Sequence, residues 1–114
     1  MNKEVKSKWI EALRSQEYNQ SFDRLRDKNG YCCLGVLCDI HAKETGNEWV
    51  DMVKPIPCGK YYLGHVSNLP KEVIKWAGLE KQNPMLTVDM SASSCNDSHE
   101  YTFNQIADLI QENL

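Results

Sequence analysis

Cys32, Cys33, Cys38 and His41 form the tightest grouping of potentially nucleophilic or metal-binding side chains in the sequence. Cys38 and His41 stand three residues apart, a spacing that places both on one face of a helix. A thiolate beside an imidazole is the core of a nucleophilic pair, but catalysis also needs an orienting acceptor and donors for a developing oxyanion. Asp39 adjoins Cys38 yet points elsewhere on a regular helix, and no local signature supplies the other parts. Zinc would require tetrahedral thiolate and imidazole ligands, whereas these residues face different directions on a helix. The spacing matches neither paired Cys-x-x-Cys knuckles nor a two-Cys, two-His finger, so Cys58, Cys95, His65 or His99 would have to complete a site through folding. Reduced cysteines packed as small hydrophobes explain the same residues with fewer requirements. The expectation is therefore no metal, no cofactor and no enzymatic activity, with Cys38 and His41 carrying the enzymatic alternative.

Two further groups could bind rather than react. Trp49, Tyr61, Tyr62 and His65 lie in or beside a Pro/Gly-interrupted middle segment, where aromatic rings could stack a base and Lys54 or Lys60 could meet a phosphate. Trp49, Lys60, Tyr61, Tyr62 and His65 are thus the candidate ligand-binding residues, and a nucleotide second messenger is the corresponding ligand. The bland reading packs one tyrosine on a sheet and leaves the other at the surface. Asn96, Asp97, His99 and Glu100 make a second polar group, for which turn and capping duties are the simpler reading because Asx side chains satisfy nearby backbone donors. No Walker-type glycine loop, complete calcium loop or dinucleotide fingerprint is present.

The elements that must position these groups follow from periodicity. Val5, Trp9 and Leu13 recur every four residues, predicting an amphipathic helix from about Glu4 to Ser15 with Trp9 as a core anchor. Asp27 to Gly30 reads as a turn. Tyr31 to Ala42 is the densest apolar stretch and reads as the buried centre of the fold, either a helix with Leu34, Leu37, Cys38 and His41 on one face or a strand followed by a helix, stopped around Thr45-Gly46-Asn47. Gly35 inside it calls for a steric reason. Pro55, Pro57, Gly59 and Gly64 break the next segment into short extended pieces, one near Val53 and another over 60–66. Pro70 opens a helix that turns Val73, Ile74 and Ala77 inward and ends at Gly78, with Trp76 covering an edge of the core. Met85 to Met90 is a strand candidate followed by a polar turn. Thr102 and Gln105 form a capping box for a final helix whose apolar face is Phe103, Ile106, Ala107 and Ile110. The predicted fold is a single compact α+β domain over 1–114, with about four helices and a small antiparallel sheet or hairpin.

The chain has 114 residues, 13 Lys+Arg, 16 Asp+Glu and a formal net charge of -3. A chain this long buries roughly two thirds of its unfolded surface, enough for one core without a disulfide or metal staple. No apolar stretch approaches the roughly 20 residues that span a bilayer, and no signal-peptide-like segment opens the chain. Five cysteines, two of them adjacent, fit a reduced compartment. The acidic balance argues against direct nucleic-acid binding, although it leaves room for a local basic patch. Charge is unevenly placed: no Lys or Arg follows Lys81, while Asp89, Asp97, Glu100, Asp108 and Glu112 do. Asp97, Glu100, Asp108 and Glu112 are accordingly the candidate protein-interface residues, an acidic end suited to a basic partner.

Trp9-Ile10-Glu11-Ala12-Leu13-Arg14-Ser15 and Tyr31-Cys32-Cys33-Leu34-Gly35-Val36-Leu37-Cys38-Asp39 together resemble a family of small bacteriophage and prophage accessory proteins. The likeness continues through Leu69-Pro70-Lys71-Glu72-Val73, Trp76, Gly78-Leu79, Asn96-Asp97 and residues 103–110. Where relatives have Leu-Asn-Asp followed by Gly before the last helix, this chain has Cys95-Asn96-Asp97-Ser98. The resemblance implies an accessory phage product in the host cell cytoplasm, of the class that includes inhibitors of bacterial defence. The expected function is non-enzymatic, stoichiometric binding of a bacterial defence protein, with nucleotide sequestration as the alternative.

Overall fold

The computed structural model describes residues 1–52 and 59–114. The extended piece expected near Val53, together with Lys54 and Cys58, lies outside the described residues. Among the described residues, five helices and two two-stranded antiparallel hairpins pack around one core, in the order α1, β1, β2, α2, β3, β4, α3, α4, α5. The α+β expectation holds, with one more helix and one more hairpin than the simplest count.

Helix α1 (Lys3–Arg14) begins where the Asn2 side chain accepts the Val5 amide at 3.0 Å, one residue earlier than its periodicity suggested. Val5, Trp9 and Leu13 are buried, and α1 packs most extensively on α5. Trp9 is fully enclosed, and its indole Nε1 donates to the Cys33 carbonyl at 2.9 Å. This bond ties α1 to the start of the central helix while satisfying a polar atom inside the core.

The first hairpin pairs β1 (Arg26–Asp27) with β2 (Gly30–Tyr31). Its turn is closed by Asp27 Oδ1, which accepts the amides of Asn29 at 2.8 Å and Gly30 at 3.0 Å, the self-capping expected of an Asx residue. Helix α2 (Cys33–Thr45) follows at once and is apolar on nearly every side, as a helix at the centre of a core must be. Gly35 has the steric reason it called for: a Cβ there would lie 1.7 Å from the Leu25 carbonyl oxygen. Gly46 ends the helix in the left-handed region at φ 78°.

The second hairpin pairs β3 (Val50–Asp51) with β4 (Lys60–Tyr61), and an isolated Asp27 to Gly59 bridge joins the two hairpins. Helix α3 (Lys71–Ala77) buries Val73 and Ala77 and is capped by Gly78; Pro70 sits at the N-cap, just before the first turn.

Two local expectations are corrected. Residues 85–90 form a tight turn, not a strand: the amides of Leu86 and Thr87 both donate to the Met90 carbonyl, at 2.9 and 3.1 Å. Thr87 Oγ1 accepts the Met90 amide at 2.9 Å, and Val88 is wholly exposed. The Thr87 side-chain acceptor competes here with a ladder, and among the described residues one isolated bridge, Met85 to Ser91, pairs the segment. The polar stretch that follows is not a turn but a short helix, α4 (Ala92–Asp97), started by Ser91 and held by the burial of Ala92, Cys95 and Asn96. Helix α5 (Phe103–Asn113) carries both bonds of the Thr102–Gln105 capping box and the predicted buried face. Among the described residues no helix is long and apolar enough to cross a membrane.

Candidate functional site

The site is built around Asp39, an aspartate in the most apolar helix of the chain and only 7% exposed. A buried carboxylate needs partners, and three elements supply them. Tyr18, in the loop after α1, donates its hydroxyl to Oδ2 at 2.6 Å; Trp49, just before β3, donates its indole N–H to Oδ1 at 3.1 Å. Lys43, one turn further along α2, brings Nζ to 3.3 Å from Oδ2.

Those bonds fix a row of rings. Tyr18 and Tyr31 meet edge to face at 4.9 Å and 87°, and Tyr31 and Trp49 at 6.0 Å and 76°. The Arg26 guanidinium carbon lies 4.7 Å from the Tyr31 centroid and 5.4 Å from that of Trp49. Lys43 Nζ lies 5.4 Å from the Tyr18 centroid. Tyr18, Arg26, Tyr31 and Trp49 are each half-buried, and Lys43 is exposed. The result is a cation-decorated aromatic surface pinned from beneath by one carboxylate.

Trp49 also leads inward, contacting Tyr62 at 5.0 Å. Tyr62 is fully enclosed, and its hydroxyl lies 2.5 Å from His41 Nδ1. The His41 ring also meets Trp76 edge to face at 5.0 Å.

The titration chemistry of this cluster is quiet near neutrality. Burial, then the hydrogen bond to Asp39, pushes the Tyr18 phenol well up. Burial likewise raises Tyr31, helped by the Asp39 charge and opposed by Arg26 and Lys43. Tyr62 is pushed up to about 12, chiefly by burial. His41 is lowered by burial against the opposing pull of Glu72 and Glu44. The phenols therefore stay protonated and His41 stays neutral at pH 7.

The predicted residues separate into those the fold gathers and those it disperses. Trp49 and Tyr62 meet, but Tyr62 is core and offers no free face. Lys60 is engaged across the second hairpin with Asp51 at 2.5 Å, and Tyr61 is half-buried opposite Val50. His65 is joined to Tyr62 through a pair of backbone hydrogen bonds, each 2.9 Å. Cys38 is buried with its thiol pushed well up by desolvation, and the His41 Nδ1 lies against the Tyr62 hydroxyl. Cys32, Cys33, Cys38 and Cys95 are free and buried. Among the described residues no three His, Cys, Asp or Glu side chains are grouped to hold a metal.

The acidic set is dispersed as well. Asp97 Oδ1 accepts the amide of Asp23 and the side-chain amide of Asn96, both at 3.0 Å. Asp108 pairs with Arg14 at 2.7 Å, while Glu100 and Glu112 are exposed. Asn96 itself is fully buried: its Oδ1 accepts from the Cys33 amide and from Gln20 Nε2, both at 3.2 Å, and its Nδ2 donates to the Ser21 carbonyl at 2.8 Å. The Asn96-Asp97 pair thus clamps α4 onto the segment between α1 and β1 and onto the start of α2.

This chain belongs to the family described as Domain of unknown function (DUF8296). The family model matches residues 1–114, so it takes in every contributor to the aromatic cluster. No curated protein and no solved structure matches the chain. Sequence reasoning missed Tyr18, Arg26, Tyr31, Asp39 and Lys43 as site residues. The available signal was Asp39 itself, a charge within the longest apolar run, which required donors from elsewhere in the chain.

Proposed function

We propose that this domain is a phage-encoded accessory protein that inhibits a bacterial antiviral defence system by stoichiometric, non-enzymatic binding of one of its proteins in the host cell cytoplasm. The observation that carries the binding role is the partly exposed Tyr18–Tyr31–Trp49 row, ordered in advance by Asp39 and flanked by Arg26 and Lys43. Aromatic and arginine side chains held in place are the groups that dominate protein interfaces, because little rotamer freedom is lost on contact. The phage and defence part of the reading is supported by the sequence likeness around Tyr31–Asp39. The acidic surface contributes less than its sequence suggested, since Asp97 and Asp108 are already engaged. Nucleotide sequestration has weaker support, because Tyr62 is enclosed and Lys60 is paired. The enclosed Cys38 and the Tyr62-bound His41 favour binding over catalysis.

The test is expression of the chain in defence-active bacteria, with native mass spectrometry of the purified protein and plating of a defence-sensitive phage. The expected result is a complex of defined stoichiometry with a host protein and restored plaque formation, both lost with Trp49→Ala and retained with Glu112→Gln. A nucleotide retained in place of a protein, or turnover abolished by Cys38→Ser, would replace this reading.

A further inference from the structure

The Arg26 guanidinium lies over the Tyr31 and Trp49 rings, and among the described residues it makes no ion pair. Asp51 is close enough for Arg26 to lower its carboxyl slightly, yet that carboxylate is bound by Lys60. A guanidinium held over rings keeps its N–H edge for another acceptor, and its planar fork matches a carboxylate. Lys43, whose side chain is 70% exposed, adds a second cation at the Tyr18 end, its Nζ lying 3.3 Å from Asp39 Oδ2 and donating to the Tyr18 hydroxyl at 3.3 Å. The sequence is locally basic here as well, with Arg24, Arg26 and Lys28 within five residues of a chain whose net charge is -3.

Resting on the binding function proposed above, we infer that the Arg26–Tyr31–Trp49 face docks an acidic segment of a partner protein, with a carboxylate received by Arg26 and a second by Lys43. The geometry favours a protein over a nucleic acid in two ways. Base stacking needs open ring faces, whereas Tyr31 is met edge to face by its neighbours and overlain by Arg26. An open hollow of about 270 Å³ adjoins Tyr18 and is lined by Gln16, Asn19 and Asn104. Neutral amides both donate and accept, which suits a peptide backbone and provides no counter-charge for phosphates.

The probe is the capped peptide acetyl-Glu-Asp-Glu-Asp-Glu-Asp-amide, titrated into the ¹⁵N-labelled full chain and followed by NMR. Its Gln/Asn counterpart and decathymidylate serve as comparisons. The acidic peptide should shift the Arg26 side-chain Nε–H, the Trp49 indole N–H and the Tyr31 amide, and should do so less as salt rises. Arg26→Gln should weaken binding by about tenfold and Arg26→Lys by less, since lysine keeps the charge and loses the fork. Lys43→Gln, at an exposed position, should weaken it severalfold and provides the reading if Arg26→Gln does not give a folded spectrum. Absence of shifts, equal shifts with the Gln/Asn peptide, shifts spread over α1 lysines, or stronger shifts with decathymidylate would each overturn the inference. If the acidic peptide is ignored while a host protein is still captured through Trp49, the acidic occupant is wrong and the binding function stands. If the peptide docks but no host protein is captured, the binding function fails and the docking chemistry stands.

Discussion

At Gly35 the Leu25 carbonyl approaches the first turn of α2 so closely that any side chain would have to displace backbone. Gly35→Ala should therefore cost about 3 kcal/mol or more, above the usual penalty for overpacking, because the obstructing atom is not a flexible side chain. Urea denaturation followed by circular dichroism measures it; a loss below ~1 kcal/mol would mean that the loop relaxes freely. His41 makes a different kind of prediction. Its folded pKa is lowered by burial from the ordinary 6.5, so between those two values the unfolded chain binds more protons. Its contribution is present above pH 6.5 and is lost as pH falls through the folded value, with a slope of at most about 1.4 kcal/mol per pH unit. The drop in urea midpoint between about pH 6.5 and 5 should be smaller in His41→Gln than in the wild type. At this scale the residue types in the sequence disclosed which groups were unusual, such as a glycine and an aspartate in an apolar helix, but not their partners. Tyr18 and Leu25 reach α2 from the segment between α1 and β1, and Trp49 from the one between α2 and β3, and nothing in local spacing encodes those distances.

Among the elements, those set by nearest neighbours were the most legible. The α5 cap is a contest between residues three apart, and both of its bonds form as the Thr102/Gln105 pattern predicts. Thr102→Ala should cost about 1 kcal/mol and Thr102→Ser little, since serine keeps the accepting oxygen; thermal denaturation of the two variants distinguishes a cap from a merely buried methyl. Helices α1, α2 and α3 likewise appear within a residue or two of their expected limits, because their apolar periodicity and, for α2 and α3, their terminal glycines act locally. The 85–97 region was misread for the complementary reason. Thr87 closes a turn on Met90, and α4 is only six residues long, too short for intrinsic propensity to reveal. Its helical form depends on docking Ala92, Cys95 and Asn96 against α2 and the preceding loop.

Across the whole molecule, two patterns that run along the chain change meaning in space. The carboxy-terminal segment has no cation after Lys81, yet α1 lies against α5 and brings Arg14 to Asp108 and Lys6 Nζ to the Gln111 carbonyl at 3.2 Å. An acidic end of the sequence is thereby partly neutralised by its basic beginning, and the binding surface proposed above is the Arg26–Trp49 face instead. The Asn96 clamp also acts at this scale, since it ties α4 to Gln20, Ser21 and Cys33 at once. Asn96→Ala leaves the buried Cys33 amide without its acceptor and should destabilise the fold by about 2–4 kcal/mol. Accelerated hydrogen exchange at that amide, measured alongside the urea midpoint, would identify the lost bond as the cause.

Periodicity, capping residues and apolar density were sufficient to specify an α+β domain with Trp9 and the Tyr31–Ala42 stretch at its centre. These signals act over a few residues, so the chain's order alone carries them. The joining of Tyr18, Arg26, Tyr31, Asp39, Lys43 and Trp49 into one surface arises only on folding. A buried carboxylate must find donors wherever the fold supplies them, and here they come from segments separated by up to 31 positions, Tyr18 to Trp49. The same long-range packing enclosed Cys38 and Tyr62, turning two candidate chemical groups into parts of the core.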